Sequence, residues 1–318
     1  MGMDRLINIA ACLQQCQVIA VTSHQQPDGD SLGSMLALYH QLAAMGKTVH
    51  MLLDDEVPAM YRFLPGWERI RRPLFTDRVD ALVVLDAGEW HRIGIVAQCS
   101  YDTAINIDHH LGNTIAAKLS AIDTSAAATG ELVYHLIQSL VPGDKSAEIA
   151  VCLYTAIVTD CGFFRYANTS PAVLRIAATL VEWGARPKEI AENVETRTAA
   201  SLAVLGKVLD TLEIYADGKI AFISVDQSLA GKVESTEGFV NYPRAIEGVE
   251  IAALFKETEA GIIRVSLRSK NADVNAVARA FSGGGHHRAA GCTVKGSLAD
   301  AKAKVLAQAA AQLKEYGV

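Results

Sequence analysis

Five aspartates and three histidines in this sequence are spaced in a way that could hold divalent cations. They fall in four short stretches: Ser23-His24-Gln25-Gln26-Pro27-Asp28-Gly29-Asp30-Ser31, the lone Asp86, Asp108-His109-His110, and Thr159-Asp160-Cys161-Gly162. Several carboxylates in one crevice repel one another and take up protons unless a cation neutralises them. Mixed carboxylate and imidazole ligation suits manganese or magnesium better than thiolate-rich zinc sites do. Two such ions sharing one carboxylate would activate water for in-line attack on phosphorus. Taken singly, each stretch has a plainer reading: Asp28 and Asp30 as turn formers or helix caps, Asp86 as a strand-end cap, the histidine pair as a polar strand end. Asp160 is less easily explained away, because a carboxylate ending an apolar helix is costly to bury unpaired.

The elements that must position these residues are legible in the hydrophobic pattern. VIAVTS (18–23), TVHMLLD (48–54), ALVVLDA (81–87) and TAINID (103–108) read as strands, rich in β-branched residues and bounded by polar turns. Helical patterns occupy 31–46, 126–140, 146–160 and 171–184, and a polar helix is expected from Arg186-Pro187 to about Thr211. This alternation predicts an α/β fold, an N-terminal mostly parallel sheet with flanking helices. In such sheets the carboxyl ends of the strands converge on the ligand crevice, which would gather the first three stretches.

After Thr211 the texture changes to strand pairs (212–216 with 219–225, 251–257 with 261–269), a short helix, a glycine loop and a terminal helix from Leu298. That predicts a smaller α+β C-terminal domain joined by a helical linker. The expected division is an α/β domain over 1–185, a linker over 186–212 and an α+β domain over 213–318. Within the last, Gly283, Gly284 and Gly285 permit close backbone approach and left-handed conformations, as a hinge or as a phosphate cradle. Arg264, Arg268, Lys270, Arg279 and Arg288 crowd this region, with Arg268 placed to reach outward and Arg279 and Lys270 readable as solvated charges. Phe239 and Tyr242 could stack a base, though core packing explains them better.

Composition narrows the class. The chain has 318 residues, half of them hydrophobic, enough for two cores, and a formal charge of −6 from 29 basic and 35 acidic residues. A polyanionic substrate must therefore be handled by local cations rather than by global charge. Six cysteines without a CxxC pair fit reduced thiols in the cytoplasm better than a disulfide framework. The N-terminus lacks the features of a signal peptide, and no uncharged apolar run approaches the ~20 residues needed to span a bilayer. No membrane association is expected, and monomer or homodimer is left open.

Together, His24-x3-Asp28-x-Asp30-Ser31, Asp86, Asp108-His109-His110 and Thr159-Asp160 resemble, in order, the four motifs of the DHH phosphoesterase superfamily. Gly283-Gly284-Gly285-His286-His287-Arg288-Ala289-Ala290-Gly291 looks like the signature of its DHH-associated C-terminal domain. The resemblance spans nearly the whole chain. The compact length departs from full RecJ exonucleases, and the glycine signature departs from the pyrophosphatase branch. The chain best resembles the short bifunctional class, oligoribonuclease and phosphatase of 3′-phosphoadenosine 5′-phosphate (pAp).

The resemblance implies two divalent cations, manganese with magnesium as the alternative. It implies His24 and Asp28 on one, Asp30, His109 and Asp160 on the other, and Asp86 between them. It further implies that Asp108 orients His109, that His110 meets the scissile phosphate, and that Ser31 contacts substrate at the start of its helix. Arg268, Gly284, Gly285 and His286 would grip the terminal phosphate of short single-stranded oligonucleotides, of linear dinucleotides such as pApA, or of mononucleotide bisphosphates. Two features depart from the family pattern: Cys161 stands where threonine is common, and Asp86-Ala87-Gly88-Glu89 lacks a second nearby acid. Alternative readings are a cyclic-dinucleotide phosphodiesterase and a non-catalytic nucleotide or RNA sensor.

Overall fold

The computed structural model describes residues 2–72, 78–140, 145–232 and 235–316. The chain divides into two compact units between Thr196 and Arg197. The first contains α1 (Gly2–Gln15), β1 (Val18–Thr22), α2 (Gly29–Ala44), β2 (Thr48–Leu52), β3 (Val79–Leu85), β4 (Tyr101–Asp108), β5 (Leu119–Ile122), α3 (Thr129–Leu140), α4 (Ala147–Asp160), α5 (Pro171–Glu182) and α6 (Pro187–Glu195). Its five strands are all parallel, in the order β2-β1-β3-β4-β5.

Alternation along the strands decides which side chain enters which layer. Ile19, Val21, Val83, Leu85, Ile105 and Ile107 pack into a large core with α1 to α6. Ala20, Leu82 and Val84 face the other way, against the 3-10 segment Trp90–Gln98. Burial on both faces explains why these strands read as continuous apolar runs. The parallel sheet with flanking helices is as expected; β5, with the unassertive sequence LSAI, is an element the pattern did not announce.

The second unit holds α7 (Ala199–Leu209), β6 (Glu213–Tyr215), β7 (Ile220–Val225), α8 (Gln227–Ala230), α9 (Asn241–Arg244), β8 (Ile251–Glu259), β9 (Ile262–Ser269), α10 (Val274–Arg279), β10 (Gly284–His286), β11 (Ala289–Lys295) and α11 (Leu298–Glu315). Its sheet runs β10-β11-β9-β8-β7-β6, antiparallel except for the β7–β8 pair. One face packs on α10 and α11, and the other, over β7 and β8, on α7.

Two expectations need correction. The single polar helix from Pro187 is two helices, because the chain is extended at Thr196 and Thr198 and the hydroxyl of Thr198 caps α7 afresh. The glycine loop is partly strand: Gly284–His286 pairs antiparallel with Ala289–Gly291. At Gly283 and Gly285 a side chain is excluded by the approach of the partner. A Cβ on Gly283 would lie 2.3 Å from the Gly291 carbonyl, and one on Gly285 2.5 Å from that of Ala289. Phe239 is core and Tyr242 is exposed. Among the described residues, no helix is long and apolar enough to cross a membrane.

Candidate metal centre

The carboxyl ends of β1, β3 and β4 and the last residue of α4 deliver the predicted residues to one place. β1 leads through Ser23, whose hydroxyl donates to the Leu85 carbonyl, into His24. Asp28 caps α2: one carboxylate oxygen accepts from the Ser31 amide at 3.0 Å, and the other lies 3.8 Å from His24 Nε2. β3 ends at Leu85, and Asp86 takes a left-handed conformation (φ 56°) while its amide still donates to Ile107. That conformation is costly for a residue with a Cβ and is sustained only where the surroundings over-determine it.

Asp86 is the hub. Its Oδ2 lies 3.4 Å from His24 Nε2, and its Oδ1 lies 3.6 Å from His109 Nε2 and 3.5 Å from His110 Nδ1. His109 Nε2 is also 3.6 Å from Asp30 and 3.6 Å from Asp160. The donor atoms form His24–Asp28–Asp86, Asp30–Asp86–His109 and Asp86–Asp108–His110 groups, each tight enough to enclose a metal ion.

The ring orientations suit metal ligation. His24 Nδ1 donates to the Gln25 carbonyl and His109 Nδ1 to that of Ala126, so both rings turn Nε2 inward. Outer-nitrogen bonds of this kind fix the tautomer of metal-binding histidines.

Electrostatics point the same way. Burial and then the charge of Asp86 push Asp30 well above the ordinary carboxylate range. Burial, partly offset by His109, raises Asp160 to about 6. Burial alone would depress His109, but Asp160, Asp30 and Asp86 raise it to about 9. Without a cation the cluster can satisfy itself only by sharing protons, and a divalent ion relieves that frustration.

Asp108 behaves differently from the expectation that it orients His109. Its Oδ1 accepts from His110 Nδ1 at 2.7 Å and from the amides of His109 and His110. Its Oδ2 accepts from Asn113 Nδ2 at 2.6 Å. Burial opposes ionisation, yet these bonds hold its carboxyl below the usual range. His110 is therefore the ring that Asp108 orients, because His109 already spends Nδ1 on Ala126.

Ser31 is also corrected: it is fully buried, its amide bonds Asp28 Oδ1, and its hydroxyl closes a reciprocal capping box with the Asp28 backbone. The hydroxyl proton goes to the Asp28 carbonyl at 3.1 Å, so no donor is left for a substrate. The D-x-x-S spacing carried that signal.

Thr129 and Gly130 escaped the sequence reading, and further residues help to organise the centre. Thr129 donates its hydroxyl to Asp86 Oδ1 at 2.9 Å and its amide to Asp30 at 2.7 Å, and the Gly130 amide takes the other Asp30 oxygen. Ser34 bonds Asp30 at 3.1 Å. Gly29 and Gly33 let α2 touch α4: a Cβ on Gly29 would lie 2.4 Å from Thr159 Oγ1, and one on Gly33 2.4 Å from the Cys152 carbonyl. Asp54, beyond β2, accepts from Gln25 Nε2 and steadies the loop carrying His24.

In the second unit, Arg268 of β9 and His286 of β10 are both register partners of Ala289 on β11, so the structure brings these two predicted contacts to one end of the sheet. Gly284 lies in the same hairpin with open space around it, and Gly285 has φ 144°.

Comparison with known proteins agrees with this geometry. The model of the DHH family, N-terminal domain, matches residues 18–157, and that of the DHHA1 domain matches residues 217–315. A Thermus thermophilus protein named bifunctional oligoribonuclease and PAP phosphatase NrnA is 36% identical over 302 residues, covering 94% of this chain and 91% of the relative. The chain belongs to the DHH family. As a DHH-family protein it is a phosphoester hydrolase of the metal-dependent type. A crystal structure of an exopolyphosphatase-related protein from Bacteroides fragilis superposes with a TM-score of 0.87 at 29% identity, covering 98% and 97% of the two chains. Thermus thermophilus RecJ, 17% identical with a TM-score of 0.57 over 96% of this chain and 55% of its own, shares the fold.

Proposed function

We propose that this DHH protein hydrolyses phosphoester bonds in short oligonucleotides, in linear dinucleotides such as pApA and in pAp, using two divalent cations, manganese by preference. The observation that carries the reading is Asp86, whose two oxygens face two separate imidazoles. His24 and Asp28 would hold one ion, Asp30, His109 and Asp160 the other, with Asp86 common to both. Bound cations supply positive charge for the phosphate oxygens and make the attacking water more acidic.

The chain's own residues do the rest. Asp108 fixes His110 with Nδ1–H, so that Nε2 is the atom that exchanges a proton with the leaving oxygen. We assign catalysis to 1–185, linkage to 186–212, and substrate grip to 213–318 through Arg268, Gly284, Gly285 and His286. Relatives named for the same pair of activities support the substrate class. Six free cysteines support a cytoplasmic setting.

The test is purified protein with manganese, challenged side by side with pAp, pApA, cyclic di-AMP and short RNA, together with Asp86→Asn. Turnover of pAp and pApA that vanishes in the variant is expected. Robust activity of Asp86→Asn would overturn the shared-carboxylate arrangement, and preference for the cyclic substrate would overturn the substrate assignment.

A further inference from the structure

We infer that the segment Ala126–Gly130 is the organiser of the His109 flank of the centre, with Thr129 and Asn168 as positioning residues. This rests on the two-cation reading above.

One stretch of five residues bonds His109, Asp30 and Asp86 directly and is joined to the Asp160 backbone through Asn168. The Ala126 carbonyl accepts from His109 Nδ1. The Thr129 and Gly130 amides, at the start of α3, take one oxygen each of Asp30, which comes from a different helix 99 and 100 residues away in sequence. The Thr129 hydroxyl takes Asp86 Oδ1. Asp160 is tied in by Asn168, whose Nδ2 lies 2.9 Å from the Ala127 carbonyl and 3.1 Å from that of Asp160.

Thr129 thus presents two donors to two carboxylates that would otherwise repel. The amide donor belongs to any residue at this position; the hydroxyl does not. Fixing Asp86 Oδ1 also decides where Oδ2 points, and Oδ2 is the oxygen that faces His24. The hydroxyl therefore sets the rotation of the carboxylate between the two flanks. Thr129 is fully buried, and a Cβ on Gly130 would lie 2.6 Å from that of Ala156, so the segment is pinned from behind as well.

Thr129→Val keeps the shape and removes the donor. Calorimetric titration of the metal-free protein with manganese alone should show affinity reduced about 10–100-fold, the range for losing a partner that orients a ligand. Thr129→Ser should restore it to near the wild-type value. Asn168→Ala should show a smaller loss of the same kind, and it provides a second reading if Thr129→Val folds poorly by circular dichroism. At saturating manganese, Thr129→Val should regain most of its kcat, as a positioning role requires. Manganese affinity equal to wild type in Thr129→Val and Asn168→Ala overturns the inference, as does failure of Thr129→Ser to restore binding. Wild-type protein that takes up no manganese overturns the two-cation reading instead.

Discussion

The two flanks of Asp86 are built from the same residue types and held in opposite ways. On one side, Asp30 is buried and receives two amides and a hydroxyl, and His109 is clamped by a carbonyl. On the other, the Asp28 side chain is 46% exposed against 2% for Asp30, and it is fixed mainly by capping its own helix. Preorganisation thus differs between flanks even though ligand chemistry does not. A rigid, dry carboxylate gains most from a cation and suffers most from its loss, whereas a solvated one is partly compensated by water.

The comparison can be broken most directly at its two carboxylates. Asp30→Asn should weaken manganese binding by about a hundredfold or more, while Asp28→Asn should cost about tenfold, both read by titration of the metal-free protein. Equal losses would show that burial does not separate the flanks.

The next effect concerns what holds the buried flank in place. Gly33→Ala drives a Cβ toward the Cys152 carbonyl and should cost about 1–3 kcal/mol, visible as a Tm drop of several degrees, with turnover falling as Asp30 moves from Asp160. Cys161 offers a probe of the same region. Burial, reinforced by Asp160, pushes its thiol up to about 12, so native protein should leave it unlabelled by a thiol reagent that reacts with half-buried Cys12.

The smallest effect is a control far from either flank. Asp80, which receives the Gln17 and Val18 amides at the opposite end of the sheet, has its pKa lowered by those bonds. A lowered carboxylate pKa contributes stability that is present above the ordinary value near 3.8 and is lost as pH falls through the folded value. Asp80→Asn should therefore lower Tm by about 2–4 °C at neutral pH, converge with wild type in strong acid, and leave manganese binding unchanged.

Much of the centre was legible because strand ends speak in sequence. A β-branched run followed by Asp or His marks both the element and the point where its side chains leave the sheet, which is how His24, Asp86 and Asp108 stood out. The four strands and the helices after them followed from the same alternation. Thr129 and Asn168 were invisible because their work depends on segments far apart in the chain arriving together, and a small polar residue at a helix start or in a loop carries no periodicity. The partner of Asp108 was misjudged for a related reason. Adjacent histidines look alike until the fold supplies a carbonyl for one of them. Gly284–His286 read as a loop because a glycine run hides a strand, here one whose partner leaves no room for a side chain at Gly285.

The seam between α2 and α4 sets a limit on redesign. Gly29 and Gly33 let two backbones meet directly beneath Asp30 and Asp160, so neither helix can accept a larger neighbour without spreading those carboxylates. An engineer seeking a wider crevice, for a bulkier leaving group or a larger ion, would find the outward-facing Asp28 side adjustable one residue at a time. Widening the buried side would mean re-spacing two helices at once.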